Sequence, residues 1–498
     1  MILVKSTQII DGTGKPPYKA DVLIKDDKIS AIGNYATKKA EVIVDGLGYY
    51  LTPGFIDINT DADHYLSLFT NPSQGDFIKQ GVTTTIGGQC GSSLAPLLYG
   101  SLESIQKWTD IRQINVGWHT MKEFLKTLGR TKIGVNFGTL IGHSTIRRAI
   151  IGEELRDLTD PELKVFEHII EKAMEEGALG FSTGLGYSHS RITPYQEILQ
   201  LVKIVSKHGG VYATHLRNED EKIVGSVKEA IRIARETGVK TLISHFRPLK
   251  GFEKNYEEAL EIIKKEADKL DFHFDGYPFD ASVVPIYTLL PKWAQIGGFR
   301  DMLKNLSSNE IQERLLGEFS HINGDDVIIA QAPSAKYLVG KTLGAFARNH
   351  ELELSQALIR LMIVTDLQAT VIYKNINLDL AIGSLMSDRA LVASNGAGLP
   401  ERNDFIKHER FYNTFPKFLE ISETANQPIE QTIKKFTSAP AQKFGIKKRG
   451  LLKEGYQADL TMIKGNKVHS VFVNGQQAMT DGKIQNILAG QIIKRNSS

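Results

Sequence analysis

Apolar positions fall into three regimes along this chain. In residues 1 to about 50, short β-like runs (ILVKSTQII, ADVLIKDDKISAIG and EVIVDG) alternate with Gly and Asp turns, the pattern of hairpins in a small sheet. From about residue 446 onward, GLLKEGYQADLTMI and KVHSVFVNGQQAMTDGK repeat that style, broken by Gly, Asn-Gly and Asp-Gly turns. Two β-rich ends around a long middle predict one small β-sandwich domain drawn from residues 1–50 and 446–498.

Between the ends, β-branched runs alternate with helical stretches, the rhythm of parallel βα units. The candidate strands are GFIDI (54–58), VTTTIGG (82–88), IGVNFGTLIG (133–142), ALGFSTG (178–184), VYATH (211–215), TLISH (241–245), ATVIYK (369–374) and ALVASNG (390–396). Amphipathic stretches such as SVKEAIRIARETG (226–238) and YEEALEIIKKEADKL (256–270) follow the fifth and sixth of them. Eight such runs predict an α/β fold, a closed (β/α)8 barrel of TIM type over residues 51–445. The stretch from about 284 to 340 does not fit a short βα connection and reads as an inserted lid.

At 498 residues, one large domain and one small one account for the length. The formal charge of +3 comes from 60 basic and 57 acidic residues that are scattered along the chain, which argues against a nucleic-acid binder. The opening lacks a basic segment followed by a long apolar stretch, and no window approaches the roughly 18 apolar residues a membrane span needs. The expectation is a cytoplasmic protein with no membrane partner. The single cysteine forms no internal disulfide, so Cys90 is a packed thiol, a reactive thiol or a metal ligand.

His215 and His245 each close an apolar run and are followed by a loop and a helix, which predicts positions at the C-terminal mouth of the barrel. A lone strand-end histidine is commonly a hydrogen-bonded structural residue, but two on consecutive strands point into one volume. Cys90 ends the second run among glycines that let the backbone approach closely. By itself it reads as a small buried residue. One thiolate with two imidazoles makes the three-ligand, open-position set that suits a single catalytic Zn2+, which lowers the pKa of water and polarises a carbonyl.

Several longer strings add a resemblance: TPGFIDINTDADHY (52–65), QGVTTTIGGQCGSSLAPL (80–97), GALGFSTGLGY (177–187), HGGVYATHLRNE (208–219), ISHFRP (243–248), DGYPF (275–279), RGLLKEGYQADL (449–460) and VFVNG (471–475). In order and over nearly the whole chain, they resemble the N-acyl-D-amino-acid deacylase branch of the amidohydrolase superfamily. The resemblance implies a distorted metal-bearing barrel with a small β-domain from both termini, and a zinc ion held by one Cys and two His, which fall on Cys90, His215 and His245. It also exposes departures. Where that family carries His-x-His after GFID, this chain has Asn59 and Asp61, and the family's catalytic aspartate position holds Asn395.

An amide cannot accept and return a proton near pH 7, so Asn395 would orient water or substrate only. Asp61 then becomes the candidate general base, or a further metal ligand. Asp63 and His64 read either as proton carrier or ligand, or as a polar loop. The resemblance also implies that Arg247, where the family carries a lysine, receives a substrate carboxylate and that Tyr187, Tyr277 and Ser282 face the substrate, with a structural role such as plain packing as the alternative for each. His143 and Arg147 match a family string, with a structural hydrogen-bonding role as the alternative. The expected function is zinc-dependent hydrolysis of an amide C–N bond in a small carboxylate-bearing substrate such as an N-acyl-D-amino acid. The alternatives are a non-catalytic homologue that binds metal or ligand, and another hydrolytic or lyase reaction on the same scaffold.

Overall fold

Eight short strands ring the centre of the molecule in the computed structural model, which describes residues 1–35, 38–99, 101–401 and 404–495. They are Phe55–Asp57, Val82–Gly87, Asn136–Thr139 continued by Ile141–Gly142, Gly180–Gly184, Val211–His215, Lys240–Ile243, Phe272–Gly276 and Ala390–Val392. Pairing is parallel throughout, in one arc of the first three and another from Ile141–Gly142 round to Ala390–Val392. The arcs meet through a parallel bridge between Thr60 and Gly396 and through the Leu179 N–H, which donates to the Thr139 carbonyl at 2.9 Å. The splitting into arcs makes the barrel a distorted one.

Inward-facing apolar side chains of the strands and strand ends fill the interior, where Ile56, Ile86, Leu140, Leu179, Ala213 and Leu242 share one cluster. Outside, the helix Ile223–Thr237 buries Val227, Ala230, Ile231 and Ala234, the i, i+3, i+4, i+7 stripe its sequence predicts.

Two expectations are corrected. The run at 369–374 does not join the barrel: Thr370–Tyr373 pairs antiparallel with Ser282–Pro285 and with Val327–Gln331 in a separate sheet. The seventh barrel strand is instead Phe272–Gly276, whose FHFDG sequence hides it by carrying His and Asp in a buried strand. The inserted material is accordingly larger than 284–340. It runs from that first antiparallel strand to Tyr373 and has its own core, including Leu306, Leu315, Val327, Leu343, Met362 and Val371.

The terminal segments form a nine-stranded sheet in which Ile2–Ile9 and Tyr50–Pro53 from the front of the chain meet Leu460–Lys464 from the back. It folds over a shared core of Val4, Val22, Leu51, Leu460 and Phe472, giving the β-sandwich. Of the expected small domain, positions 36–37 and 496–498 lie outside the described residues. Among the described residues, no helix is long and apolar enough to cross a membrane.

Candidate functional site

The barrel places its chemistry at the ends of the strands. Cys90 follows the second strand at φ 51°, and His245 follows the sixth at φ 38°, both left-handed conformations that turn the chain sharply at the mouth. His215 is the last residue of the fifth strand. A Cβ on Gly184 of the fourth strand would lie 2.1 Å from the Cys90 carbonyl oxygen, so only glycine lets the Cys90 turn approach that closely.

The structure brings the three side chains together. Cys90 Sγ lies 3.2 Å from His245 Nε2, the His215 and His245 rings meet nearly edge to face with centroids 4.5 Å apart, and one potential ligand atom from each residue lies within 4.8 Å of the others. All three residues are buried. Burial drives the His215 pKa down to about 3, so its imidazole is neutral and offers a lone pair at neutral pH. Burial also pushes the Cys90 thiol up, helped by the nearby Asp61 carboxylate, so a cation entering here must displace the thiol proton. His215 Nδ1 is buried without a hydrogen-bond partner among the described residues, while Glu219 stands 3.4 Å from His245 Nδ1. One thiol and two imidazoles, one of them with an unpartnered ring nitrogen, make a soft donor set that fits a zinc-like ion.

Around this cluster lies a cavity of about 420 Å³ lined by Asp61, Tyr187, Glu219, Arg247 and Asn395 and walled on one side by Thr288, Leu289, Gln295 and Ile322 of the insertion. Asp61 has both oxygens engaged: Oδ2 accepts from Asn395 Nδ2 at 3.0 Å, and Oδ1 lies 2.8 Å from His64 Nδ1. Burial opposes a charge on His64, but Asp63 and Asp61 outweigh it and raise its pKa to about 9, so the ring is cationic at neutral pH. His64 Nε2 is tied to the Ser92 carbonyl at 3.2 Å, and Asp63 accepts the Gly88 N–H at 2.6 Å. Neither residue lines the cavity; they brace Asp61 and the Cys90 turn from behind.

Asn59 has taken on a different task from the imidazole that the resemblance implies. Its Nδ2 donates to both oxygens of Asp275 at 3.1 and 3.2 Å, and Asp275 in turn accepts the His245 N–H at 2.8 Å. Asn59 therefore holds a metal-ligand candidate in place through a buried carboxylate, without reaching toward the ligand atoms itself.

Among the other expected residues, Tyr187 and Arg247 stand in the cavity wall. Tyr187 packs against the His215 ring at 4.9 Å, with the Lys107 ammonium 3.5 Å over its face. Arg247 donates to Glu219 at 2.5 Å and to Ser282 Oγ at 2.9 Å. Tyr277, Ser282 and His143, by contrast, do not line the cavity. Ser282 anchors Arg247 and donates to Asn375 at 2.7 Å, while the Tyr277 hydroxyl accepts from Arg410 at 3.2 Å. His143 contacts Glu197 at 2.8 Å between Phe166 and Phe181, and Arg147 reaches the same carboxylate at 3.2 Å, a buried structural pair.

Glu219 escaped the sequence reading. It lies 3.5 Å from His215 Nε2 and 3.4 Å from His245 Nδ1. Although burial works against its charge, the Arg247 guanidinium and the two imidazoles hold its carboxyl far below the usual range. A glutamate four residues after a strand-end histidine, in HLRNE, was the only signal. Lys107 was also missed; burial, reinforced by Arg148, lowers its pKa to about 7.

The family model described as "Amidohydrolase family" matches residues 50–478. A D-aminoacylase of Alcaligenes xylosoxydans xylosoxydans is 29% identical over 523 residues, covering 100% of this chain and 98% of that protein. An N-acyl-D-aspartate deacylase of the same organism is 27% identical, covering 99% of this chain and 94% of its own length. A solved D-aminoacylase structure, concerned with a binuclear metal centre activated by one metal and attenuated by a second, superposes with a TM-score of 0.82 at 26% identity over 99% of both chains. The chain belongs to the amidohydrolase family, and its whole-length likeness places it in the D-aminoacylase branch.

Proposed function

We propose that this protein hydrolyses the amide bond of small N-acyl amino acids, with D-configured ones as the first candidates, using one divalent cation held by Cys90, His215 and His245. The observation that carries the proposal is the convergence of one thiol and two imidazoles at the floor of a cavity sized for a small molecule. The relatives named D-aminoacylase and N-acyl-D-aspartate deacylase, similar over the whole chain, support the substrate class. The replacements support the reading of a single ion, because Asn59 donates to Asp275 and Asn395 to Asp61. A cation bound there supplies a Lewis acid that polarises the acyl carbonyl and acidifies water.

The chain's own residues do the rest. Asp61, at the cavity surface, takes the proton from the attacking water and returns it to the departing nitrogen, so that water adds across the C–N bond to give a carboxylic acid and an amine. Asn395 holds the Asp61 carboxylate in orientation and transfers no proton. His64 and Arg410, the latter 3.9 Å from Asp61, keep a positive field beside the carboxylate. The Arg247–Glu219 pair fixes the two imidazoles from the outer side.

Full-length protein loaded with zinc should release free amine from a panel of N-acetyl-D-amino acids. Chelation should abolish this release, and Asp61→Ala should lower turnover by about 10²- to 10⁴-fold. The amide at Asn395 favours a second reading, a non-catalytic binder. That reading takes over if wild-type protein binds zinc and N-acetyl-D-amino acids but releases no amine.

A further inference from the structure

A second cavity, of about 550 Å³, adjoins the catalytic one. The loops after the first, second and eighth barrel strands serve both. Asp61, Trp108 and Asn395 line the catalytic cavity, while Tyr65, Thr109 and Leu399 from the same three loops line its neighbour. The partition is thin: the consecutive residues Trp108 and Thr109 line different cavities, and the Trp108 and Tyr65 rings pack against each other with centroids 5.8 Å apart. Trp108 also stacks on His64 at 6.3 Å. Its indole Nε1 is buried without a hydrogen-bond partner among the described residues, so the ring contributes volume to this wall and no anchoring side-chain bond.

Beyond the partition, Tyr65, Leu399 and Phe405 supply apolar surface, and the charged residues are paired with one another, Arg112 with Asp110 and Lys336 with Asp404, both at 2.9 Å. Such a space suits an uncharged chain. Charge also decides which end of an N-acyl amino acid faces it. Among the described residues, the lysines and arginines that line the catalytic cavity are Arg191, Arg217, Arg247 and Lys292, from the loops after the fourth, fifth and sixth strands and from the insertion. Trp108 belongs to the second-strand loop, and in a closed ring of eight the second strand stands opposite the sixth. Asp61 is on the Trp108 side as well, so a substrate carboxylate is drawn toward the cations and the neutral acyl group is turned toward Trp108.

We propose that Trp108 sets the length of acyl chain this protein accepts: its indole closes the catalytic cavity behind a short acyl group, and its removal opens the second cavity to a long one. The proposal rests on the N-acyl amino acid reading above for the identity of the ligand, and its test separates binding from turnover.

Binding of the N-acetyl and N-octanoyl derivatives of D-leucine, D-methionine and D-aspartate is measured by calorimetry in full-length, zinc-loaded protein carrying Asp61→Asn, so that nothing is consumed. For an amino acid whose acetyl derivative binds, the octanoyl derivative should bind about tenfold more weakly or worse. Adding Trp108→Ala should strengthen the octanoyl derivative by about 10- to 100-fold, at about fourfold for each methylene group that enters the second cavity, and leave the acetyl derivative within about threefold. Trp108→Phe, which keeps a smaller ring in the wall, should fall between and reads the same ratio if the alanine variant does not fold, which thermal unfolding reports. The proposal is overturned, and the N-acyl amino acid reading kept, if the parent binds octanoyl and acetyl derivatives equally or if the ratio is unchanged in the folded Trp108 variants. If none of the six compounds binds, the reading falls and the proposal with it. If the Trp108-dependent ratio is found but wild-type protein releases no amine, the proposal stands and the hydrolase reading falls.

Discussion

Asp61 is the residue on which the proposed proton chemistry turns, and its surroundings show how one replacement is linked to another. The amide of Asn395 stays in contact with it at 3.0 Å, and a cationic His64 takes the other oxygen. The His64 proton gives a pH signature. Its pKa is raised in the folded chain to about 9 against an ordinary value of 6.5, so the folded state holds the proton where the unfolded state has lost it. The stabilisation is fully present below about pH 6.5 and is lost as pH rises through about 9. The difference in urea midpoint between the metal-free wild type and His64→Gln should therefore shrink across that window; a constant or growing difference would contradict the assignment. Residues of this kind were legible only in part. His215, His245 and Cys90 stand out because each interrupts or ends an apolar run, whereas Glu219 and Lys107 lie in loops whose polar residues carry no periodicity and acquire meaning only when the barrel closes.

Strands show the same limit at the next scale. Continuous β-branched runs identified most barrel strands, since strands buried on both faces lack alternation and show as short apolar blocks. Four residues of β-branched sequence look alike in a parallel barrel and in an antiparallel side sheet, which is why Thr370–Tyr373 was misplaced and FHFDG overlooked. The loop after the fourth strand shows how tightly the elements are fitted around the site. A Cβ on Gly186 would lie 2.5 Å from His215 Nε2, although Gly186 itself does not have a positive φ. The backbone of Gly186→Ala is thus unstrained while its methyl group displaces the imidazole. Zinc affinity, measured by competition with a chromophoric chelator, should fall about tenfold, the equivalent of roughly 1.4 kcal/mol. Far-ultraviolet circular dichroism should stay unchanged. Unaltered zinc affinity would mean that His215 does not hold the ion.

Across the whole molecule, the two ends of the chain bind the barrel at the end opposite its mouth. Arg449 pairs with Asp459 and donates to Asn474 and Gln491, both at 2.9 Å, while Asn136 on the third barrel strand donates to Asp459 at 3.0 Å. This buried network joins the sandwich, the final segment and the barrel floor. Removing one partner leaves an uncompensated charge, so Arg449→Met should lower unfolding stability by about 3–5 kcal/mol. The change is read from the denaturation midpoint; a shift near zero would show that the terminal domain does not stabilise the barrel. The discontinuous sandwich was legible because both ends share one turn-rich style, but the extent of the insertion was not, since its helices and strands have ordinary patterns and only their separate core sets them apart.

The central claim is that one sulfur and two ring nitrogens from three different strands hold a single cation. X-ray absorption at the zinc edge of the full-length protein loaded with one equivalent of zinc tests it most directly. The account predicts one sulfur neighbour at about 2.3 Å and imidazole nitrogens at about 2.0–2.1 Å, with the sulfur signal lost in Cys90→Ser. A shell of oxygen and nitrogen alone in the wild type, or a sulfur signal that survives Cys90→Ser, would contradict it.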